Sequence, residues 1–166
     1  MLEIIDNKII DIKKIYDEII SCSFKYGEVD HKEQKIPTGL VSEININAPV
    51  YQEIVSFCKN HETVKNLIVT RSYVNLFPPR EICSFHIDHD DPTAKTFIYY
   101  PHVEYNTEMG GETKFLYDNA TCSSVLPIPG RIIIFNSNMP HSATSFHTHY
   151  RFSLVIKFER GKEYAN

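Results

Sequence analysis

The sequence predicts an α+β fold in which N-terminal helices pack on a β-sandwich or barrel. Three observations indicate this: helical periodicity in the first 60 residues, short runs of β-branched and aromatic residues after Thr63, and clusters of Pro, Gly, Asn and Asp between those runs. A chain of 166 residues is long enough for one core. We therefore expect a single domain over 1–166, with 1–62 as helical and loop support and 63–160 as the β-core.

The first predicted helix lies within residues 1–23, where Ile alternates with charge at helical spacing. Its expected packed face comprises Ile12, Ile15, Ile19 and Ile20.

The second predicted helix lies in the segment NAPVYQEIVSFCKNH. Asn47 is the expected N-cap and Pro49 lies near the first turn. Val50, Ile54 and Phe57 would share the packed face.

Between these helices, residues 24–47 are polar and show no sustained periodicity. We expect a long connection with at most one or two short strands, and Gly27 and Gly39 are possible hinges. Long connections of this kind often cover active sites. This segment and the loop Asp90 to Lys95 are therefore the candidate lids, with an ordinary solvated loop as the alternative.

The β-core is predicted from runs rich in Val, Ile, Phe, Tyr and Thr. These runs are VKNLIVTRSYVNLF, EICSFHID, KTFIYYP, ETKFLY, SSVLPI, RIIIF and YRFSLVIKF.

Charge and cysteine content limit the functions that the protein can have. The net charge is -4 and the pI is about 6.0, which disfavours a surface built to bind nucleic-acid phosphates. No apolar run reaches the roughly 20 residues of a membrane-spanning helix. The N-terminus does not resemble a signal peptide, and the four cysteines lack a paired motif, so we expect reduced thiols in a cytoplasmic protein. They are Cys22, Cys58, Cys83 and Cys122.

The stretch FHIDHDD carries the strongest chemical signal. On an extended strand, His86 and Asp88 would project to the same side. His89 and Asp91 form a second His-x-Asp pair, but they stand in an apparent loop against Pro92, so we favour the first pair.

A third ligand is expected from His141, which follows the strand-like run RIIIF. His147 and His149 compete for this role, but they would lie in or near the last strand. Two imidazoles and one carboxylate on one face of an ion leave three sites open, as in non-haem Fe(II) oxygenases. Arg151, ten positions later, would then anchor an acidic cosubstrate.

From about Arg71 to Phe158 the sequence resembles the iron- and 2-oxoglutarate-dependent dioxygenases, particularly their prolyl 4-hydroxylase-like branch. The similar motifs are LFPPREICSFHID, FIYYPHVEY, GGET, PGRIIIFNSNMPHSATSF and YRFSLVIKF.

The resemblance implies a double-stranded β-helix (jelly-roll) core that holds Fe(II) through His86, Asp88 and His141. It also implies that Arg151 pairs with the distal carboxylate of 2-oxoglutarate. Further residues would assist there: Ser153 and Tyr100 by hydrogen bonds to that carboxylate, and Ile98 by lining the pocket.

The sequence departs from the family at Phe77, where relatives often have a tyrosine before the Pro-Pro turn. Tyr73, on the same strand face as Arg71 and Asn75, is the expected substitute. Gly110 and Gly111 are interpreted as a tight turn rather than as direct participants.

The implied activity is hydroxylation of an unactivated C–H with release of succinate and CO2, using Fe(II), 2-oxoglutarate and O2. The leading substrate is a prolyl or other residue of a peptide or protein. Small metabolites or free amino acids stay open, as do a non-catalytic cupin-like metal or sugar binder and a zinc hydrolase. Oxidative demethylation of nucleic acids is disfavoured because Ser153 and Lys157 replace the Asn and Arg of that pattern.

Overall fold

The computed structural model describes residues 1–9, 11–26, 37–81 and 83–161. Over these residues it contains two antiparallel sheets and two α-helices, which confirms the predicted α+β class. The helices are α1 (Ile12–Ile20) and α2 (Gln52–Lys59). The strands are β1 (Leu2–Ile5), β2 (Lys25–Tyr26), β3 (Leu40–Glu43), β4 (Ile68–Phe77), β5 (Lys95–Tyr99), β6 (Thr113–Leu116), β7 (Cys122–Val125), β8 (Ile132–Asn136), β9 (His141–Ala143) and β10 (Arg151–Glu159).

The larger sheet has seven strands in the order β1-β8-β5-β10-β4-β3-β2, and the smaller one has the order β7-β6-β9. Every neighbouring pair is antiparallel. Strand β10 lies at the middle of the larger sheet, between β4 and β5. The first 62 residues therefore contribute three strands to this sheet, besides the helices and loops predicted for them.

Strand β8 shows how the larger sheet buries both of its faces. Ile132 and Ile134 pack with the helices, whereas Ile133 and Phe135 pack with β6 and β7 of the smaller sheet. Because successive side chains alternate faces, a strand buried on both sides needs a continuous apolar run. The run RIIIF therefore encodes a central strand.

Helix α1 begins after Asp11, whose side chain accepts a hydrogen bond from the Lys14 amide at 3.2 Å. Ile15 and Ile19 are buried in the core. Ile20 is 49% exposed, so its predicted place on the packed face was wrong. A residue next to Ile19 is rotated by about 100° around the helix, away from that face.

Residues 2–5 form strand β1 rather than the start of the first helix. This part of the prediction was wrong because LEII is too short to show a period of its own. Its pairing with β8 determines its conformation.

Helix α2 is preceded by a 3-10 turn, Pro49–Tyr51. The N-cap predicted at Asn47 was wrong: Ala48 precedes the turn and makes no side-chain cap hydrogen bond. Ile54 is buried as predicted, but Val50 and Phe57 are only partly buried. The fully buried residues on this segment are Tyr51, Ile54, Val55 and Cys58.

The run EICSFHID was predicted as a strand, and in its described residues, 81 and 83–88, it forms none. His86 makes a single antiparallel bridge with His141. The amides of Asp88 and His89 both donate to the Ser137 carbonyl, at 2.8 and 3.2 Å. These amides are therefore satisfied by a loop residue and not by a neighbouring strand. Strand β9, which begins at His141, was not predicted.

The connection between α1 and α2 contains β2 and β3, in agreement with one or two short strands. Gly39 has φ +66°, and a Cβ there would lie 2.8 Å from the Phe77 ring. Residues 27–36, with the predicted hinge Gly27, lie outside the described residues. In the other candidate lid, Asp91 accepts hydrogen bonds from the Thr93 amide and hydroxyl. A covering role for either segment stays a prediction.

The four cysteines are free thiols. Neither described helix has the length and apolar character needed to cross a bilayer.

The two neighbouring isoleucines of α1 test the helix packing. Ile19→Ala should lower the free energy of unfolding by about 2–5 kcal/mol, because it removes most of a fully buried side chain and leaves a cavity in its place. Ile20→Ala should change it by less than about 0.5 kcal/mol. Urea unfolding of both variants measures the difference, and equal losses would contradict the observed helix orientation.

Candidate metal centre

His86, Asp88 and His141 meet at one point between the two sheets. One ligand atom from each lies within 4.8 Å of the others. His86 Nε2 is 3.8 Å from Asp88 Oδ1, and His141 Nε2 is 3.7 Å from Asp88 Oδ2. The backbone bridge between the two histidines, with N to O distances of 3.0 and 2.9 Å, brings their rings together.

The other nitrogen of each imidazole faces a backbone carbonyl. His86 Nδ1 lies 3.2 Å from the Ser84 oxygen, and His141 Nδ1 lies 3.0 Å from the Met139 oxygen. A neutral ring that donates from Nδ1 carries its lone pair on Nε2. Each Nε2 lies within 4 Å of an Asp88 carboxylate oxygen, so the three groups could share one ion.

The protonation states suit a metal site. Burial lowers the pKa of His141 to about 4, so its ring is neutral at pH 7. Burial would raise the pKa of Asp88, but three neighbours hold it below its ordinary value. They are His141, which is protonated in the acidic range where Asp88 titrates, the Lys157 ammonium group and the Thr96 hydroxyl. Neutral imidazoles and an ionised carboxylate are the forms that ligate metals.

This donor set fits a divalent transition metal: two nitrogens and one carboxylate oxygen approach from one side and leave the cavity side open. Among the described residues, no other group of His, Cys, Asp and Glu has this arrangement.

The competing histidines lie elsewhere. His89 Nδ1 accepts from the Asp91 amide, and its other nitrogen faces Glu159 at 3.8 Å. His147 and His149 are exposed. The preference for His86, Asp88 and His141 thus agrees with the geometry.

Arg151 lies at the start of β10 and is only 1% exposed. Its Nε donates to the Gly111 carbonyl at 2.8 Å, and its terminal nitrogens reach the Thr113 and Ser153 hydroxyls at 3.0 and 3.5 Å. Within the described part of the chain it forms no ion pair with a carboxylate. Burial lowers the pKa of this guanidinium, which nevertheless stays charged at pH 7.

A cavity of about 210 Å³ joins Arg151 to the three ligands. Besides Arg151, its lining includes three further residues predicted for cosubstrate binding, which are Tyr73, Ile98 and Ser153. Tyr73 carries the Arg71 guanidinium over its ring at 4.1 Å.

Tyr100, also predicted to contact the cosubstrate, lies behind the cavity wall. Its ring is fully buried, and its hydroxyl donates to the Thr113 hydroxyl at 2.7 Å. Thr113 lines the cavity instead and also contacts Arg151. Tyr100 also lies directly beside the arginine, whose Cζ is 5.5 Å from the centre of the tyrosine ring.

Sequence reasoning missed Thr113, Thr96 and Lys157. Thr96 donates to Asp88 Oδ2 at 2.6 Å, and Lys157 Nζ lies 2.8 Å from Asp88 Oδ1. Strand alternation was the available signal: Lys157 stands an even number of positions after Arg151, and Thr96 stands two before Ile98.

Gly110 and Gly111 have φ of +73° and +87°. The tight turn expected for this pair is replaced by the end of a 3-10 turn, Thr107–Met109, and by a β-bridge between Gly110 and Phe146. A Cβ on Gly111 would lie 2.2 Å from the Phe146 ring. The Gly111 carbonyl accepts a hydrogen bond from Arg151 Nε.

His102 lies close behind Arg151 and is 5% exposed. Its Nε2 is 3.1 Å from both the amide nitrogen and the carbonyl oxygen of Phe152. Burial, aided by the charge of Arg151, lowers the pKa of His102 to about 3. The imidazole is therefore neutral and adds no second charge beside the guanidinium.

No protein-family model matches the sequence, and no curated protein matches it significantly. Solved structures do match the fold. A prolyl-4-hydroxylase from Pseudomonas putida aligns with a TM-score of 0.74 at 16% identity, covering 96% of this chain and 92% of that one. A viral collagen prolyl hydroxylase from Paramecium Bursaria Chlorella virus-1, solved with 2-oxoglutarate, gives 0.72 at 15% identity and covers 97% and 96%.

A third match is a prolyl hydroxylase from Trichoplax adhaerens in complex with a hypoxia-inducible-factor peptide fragment. It has a TM-score of 0.70 at 17% identity and covers 95% of this chain and 82% of that one. These similarities establish that the chain has the double-stranded β-helix fold of the prolyl hydroxylases and 2-oxoglutarate-Fe(II) oxygenases. The resemblance seen in the sequence is thus confirmed at the level of the fold.

The ligand assignment predicts a sharp difference between the two His-x-Asp pairs. His86→Ala, Asp88→Ala and His141→Ala should each weaken Mn²⁺ binding by about a hundredfold or more, since each removes one of three donors. His89→Ala is the matched control and should bind like the unmodified protein. Calorimetric titration measures this, and a larger loss in His89→Ala would contradict the assignment.

The neutral state of His102 predicts a pH dependence of stability. Its folded pKa is below the ordinary value of about 6.5, so its contribution is fully present above that pH and is lost as pH falls toward 3. Between pH 7 and 5, the protein should lose about 2 kcal/mol more unfolding free energy than His102→Gln. Parallel loss in both proteins, measured by urea unfolding, would show that His102 is not held neutral.

Proposed function

We propose that this protein is an Fe(II)- and 2-oxoglutarate-dependent oxygenase that hydroxylates an unactivated C–H bond. The observation that carries the proposal is the buried guanidinium of Arg151, which opens onto the same cavity as His86, Asp88 and His141. A buried charge without an acidic partner costs several kcal/mol. An anionic ligand that reaches from Arg151 to the three donors would offset that cost.

In this proposal His86, Asp88 and His141 hold Fe(II). Arg151 would bind the distal carboxylate of 2-oxoglutarate, and the Ser153 and Thr113 hydroxyls, which contact the guanidinium at 3.5 and 3.0 Å, would assist it. When bound, the ion, the keto acid and O2 supply an oxidative decarboxylation that releases succinate and CO2 and inserts a hydroxyl group into the substrate.

The chain's own residues position and shield these reactants. The Gly111 carbonyl and the Thr113 hydroxyl accept hydrogen bonds from the guanidinium and so hold the side chain, which lines the cavity. Ile98 and Val155 supply apolar walls that limit water near the reacting groups. No side chain has to act as a nucleophile in this scheme.

For the substrate we propose a prolyl or other residue of a peptide or protein. Support comes from the structural neighbours, of which several are prolyl hydroxylases and one is bound to a peptide. The deciding experiment combines Fe(II), 2-oxoglutarate and O2 with proline-containing peptides and, in parallel, free amino acids. Succinate release with a 16 Da gain on a peptide is expected; the gain on a free amino acid alone would make the protein a small-molecule hydroxylase. Absence of 2-oxoglutarate binding would favour the non-catalytic metal binder.

Arg151→Lys tests the cosubstrate anchor. A lysine keeps the charge but cannot reproduce the planar set of donors, so KM for 2-oxoglutarate should rise by roughly ten- to a hundredfold. Metal affinity should stay unchanged, because Arg151 is not a ligand. Arg160→Lys, at an exposed arginine, is the control. An unchanged KM in Arg151→Lys would assign the carboxylate to another cation.

A further inference from the structure

Lys157 places a second cation against the candidate metal centre. It stands six residues after Arg151 on β10, and its Nζ lies 2.8 Å from Asp88 Oδ1. The side chain is only 16% exposed, and its ammonium group lies 5.6 Å from the centre of the Tyr73 ring. Lysine is seldom buried unless it has a charged partner, and here that partner is a proposed metal ligand.

The two oxygens of Asp88 are held by different groups. Lys157 contacts Oδ1, and the Thr96 hydroxyl donates to Oδ2 at 2.6 Å. Thr96 is in turn 2.9 Å from the Ser137 hydroxyl, and the Ser137 carbonyl accepts from the Asp88 amide. The orientation of Asp88 therefore has anchors that do not depend on Lys157.

Lys157 and a metal ion would both be attracted to the same carboxylate. In the ion-free protein the ammonium offsets the charge of Asp88, whose side chain is 4% exposed and would otherwise be costly to bury. Once an ion is bound, the same ammonium is a like charge close to it. Lys157 should thus favour the ion-free state over the ion-bound state.

We propose that Lys157 is a charge-balancing residue of the metal centre, which neutralises Asp88 in the ion-free protein and lowers the affinity of the centre for divalent ions. The proposal rests on the proposed function in taking His86, Asp88 and His141 as metal ligands. It goes further in assigning a thermodynamic role to a residue that is not a ligand. A purely structural lysine would instead stabilise the ion-free and ion-bound proteins equally.

The experiment compares Lys157→Met, Lys157→Gln and Lys157→Arg with the unmodified protein. Lys114→Met, on the outward side of β6, is the matched control. Mn²⁺ affinity is measured by calorimetry without cosubstrate, and Tm is measured with and without Mn²⁺. The Met and Gln variants should bind Mn²⁺ about tenfold more tightly, because a neighbouring positive charge is removed.

The same neutral variants should melt at a lower temperature than the unmodified protein without Mn²⁺ and should gain more in Tm when Mn²⁺ is added. Lys157→Arg and Lys114→Met should behave like the unmodified protein in both measurements. The Gln variant retains a hydrogen-bond donor to Asp88, so it serves if Lys157→Met does not fold without metal.

Unchanged or weaker Mn²⁺ affinity in both neutral variants would overturn the role of Lys157 and leave the metal centre intact. If the unmodified protein itself binds no Mn²⁺, the metal centre and the role of Lys157 both fail. The two failures are therefore distinguishable.

Discussion

The burial of the Arg151 guanidinium is the constraint on which this end of the fold depends. A charge that is 1% exposed needs hydrogen-bond acceptors, and the segment from Gly111 to the start of β6 provides two of them. The Gly111 carbonyl accepts a hydrogen bond from Nε. The Gly111 backbone lies so close to the Phe146 ring that no side chain would fit there. Thr113, held by Tyr100, supplies a second acceptor. Gly111, Thr113 and Tyr100 therefore all help to hold the Arg151 guanidinium.

Strand β10 connects this cation to the metal centre. Its residues 151, 153, 155 and 157 all face the cavity because side chains alternate, while the intervening residues pack beneath the helices. At about 3.3 Å per residue, the strand separates the Cα atoms of Arg151 and Lys157 by about 20 Å. One strand in the middle of the sheet thus positions both the buried guanidinium and the ammonium group that pairs with Asp88. Their spacing cannot change without moving the core.

The sequence singled out four residues by local spacings, His86 and Asp88 two apart and Arg151 ten after His141, and the structure brings them to one cavity. Their roles as ligands and anchor stay predictions. Sequence-based prediction failed where tertiary contacts override local pattern. The ligand pair lies on a loop satisfied by Ser137 rather than on a strand, yet its side chains still converge. Tyr100 was expected to contact the cosubstrate; its hydroxyl donates to Thr113, which lines the cavity, and this role of Tyr100 stays a prediction. Short segments such as LEII are too short to show the helical or strand periodicity from which their secondary structure could be predicted.

The charge of the cavity is opposite to that of the chain. The protein carries a net charge of -4, yet its cavity is lined by three cationic side chains and one carboxylate. One of these cations, Arg71, pairs with Glu43, and Lys157 pairs with Asp88, which leaves the Arg151 charge without a carboxylate partner in the described residues. Low-dielectric walls strengthen such a field, so the local charge of the cavity differs in sign from the net charge of the chain. Overall composition disfavoured a nucleic-acid surface but could not reveal the charge of the cavity, since this local imbalance arises only when β4, β10 and the loop that carries His86 and Asp88 come together.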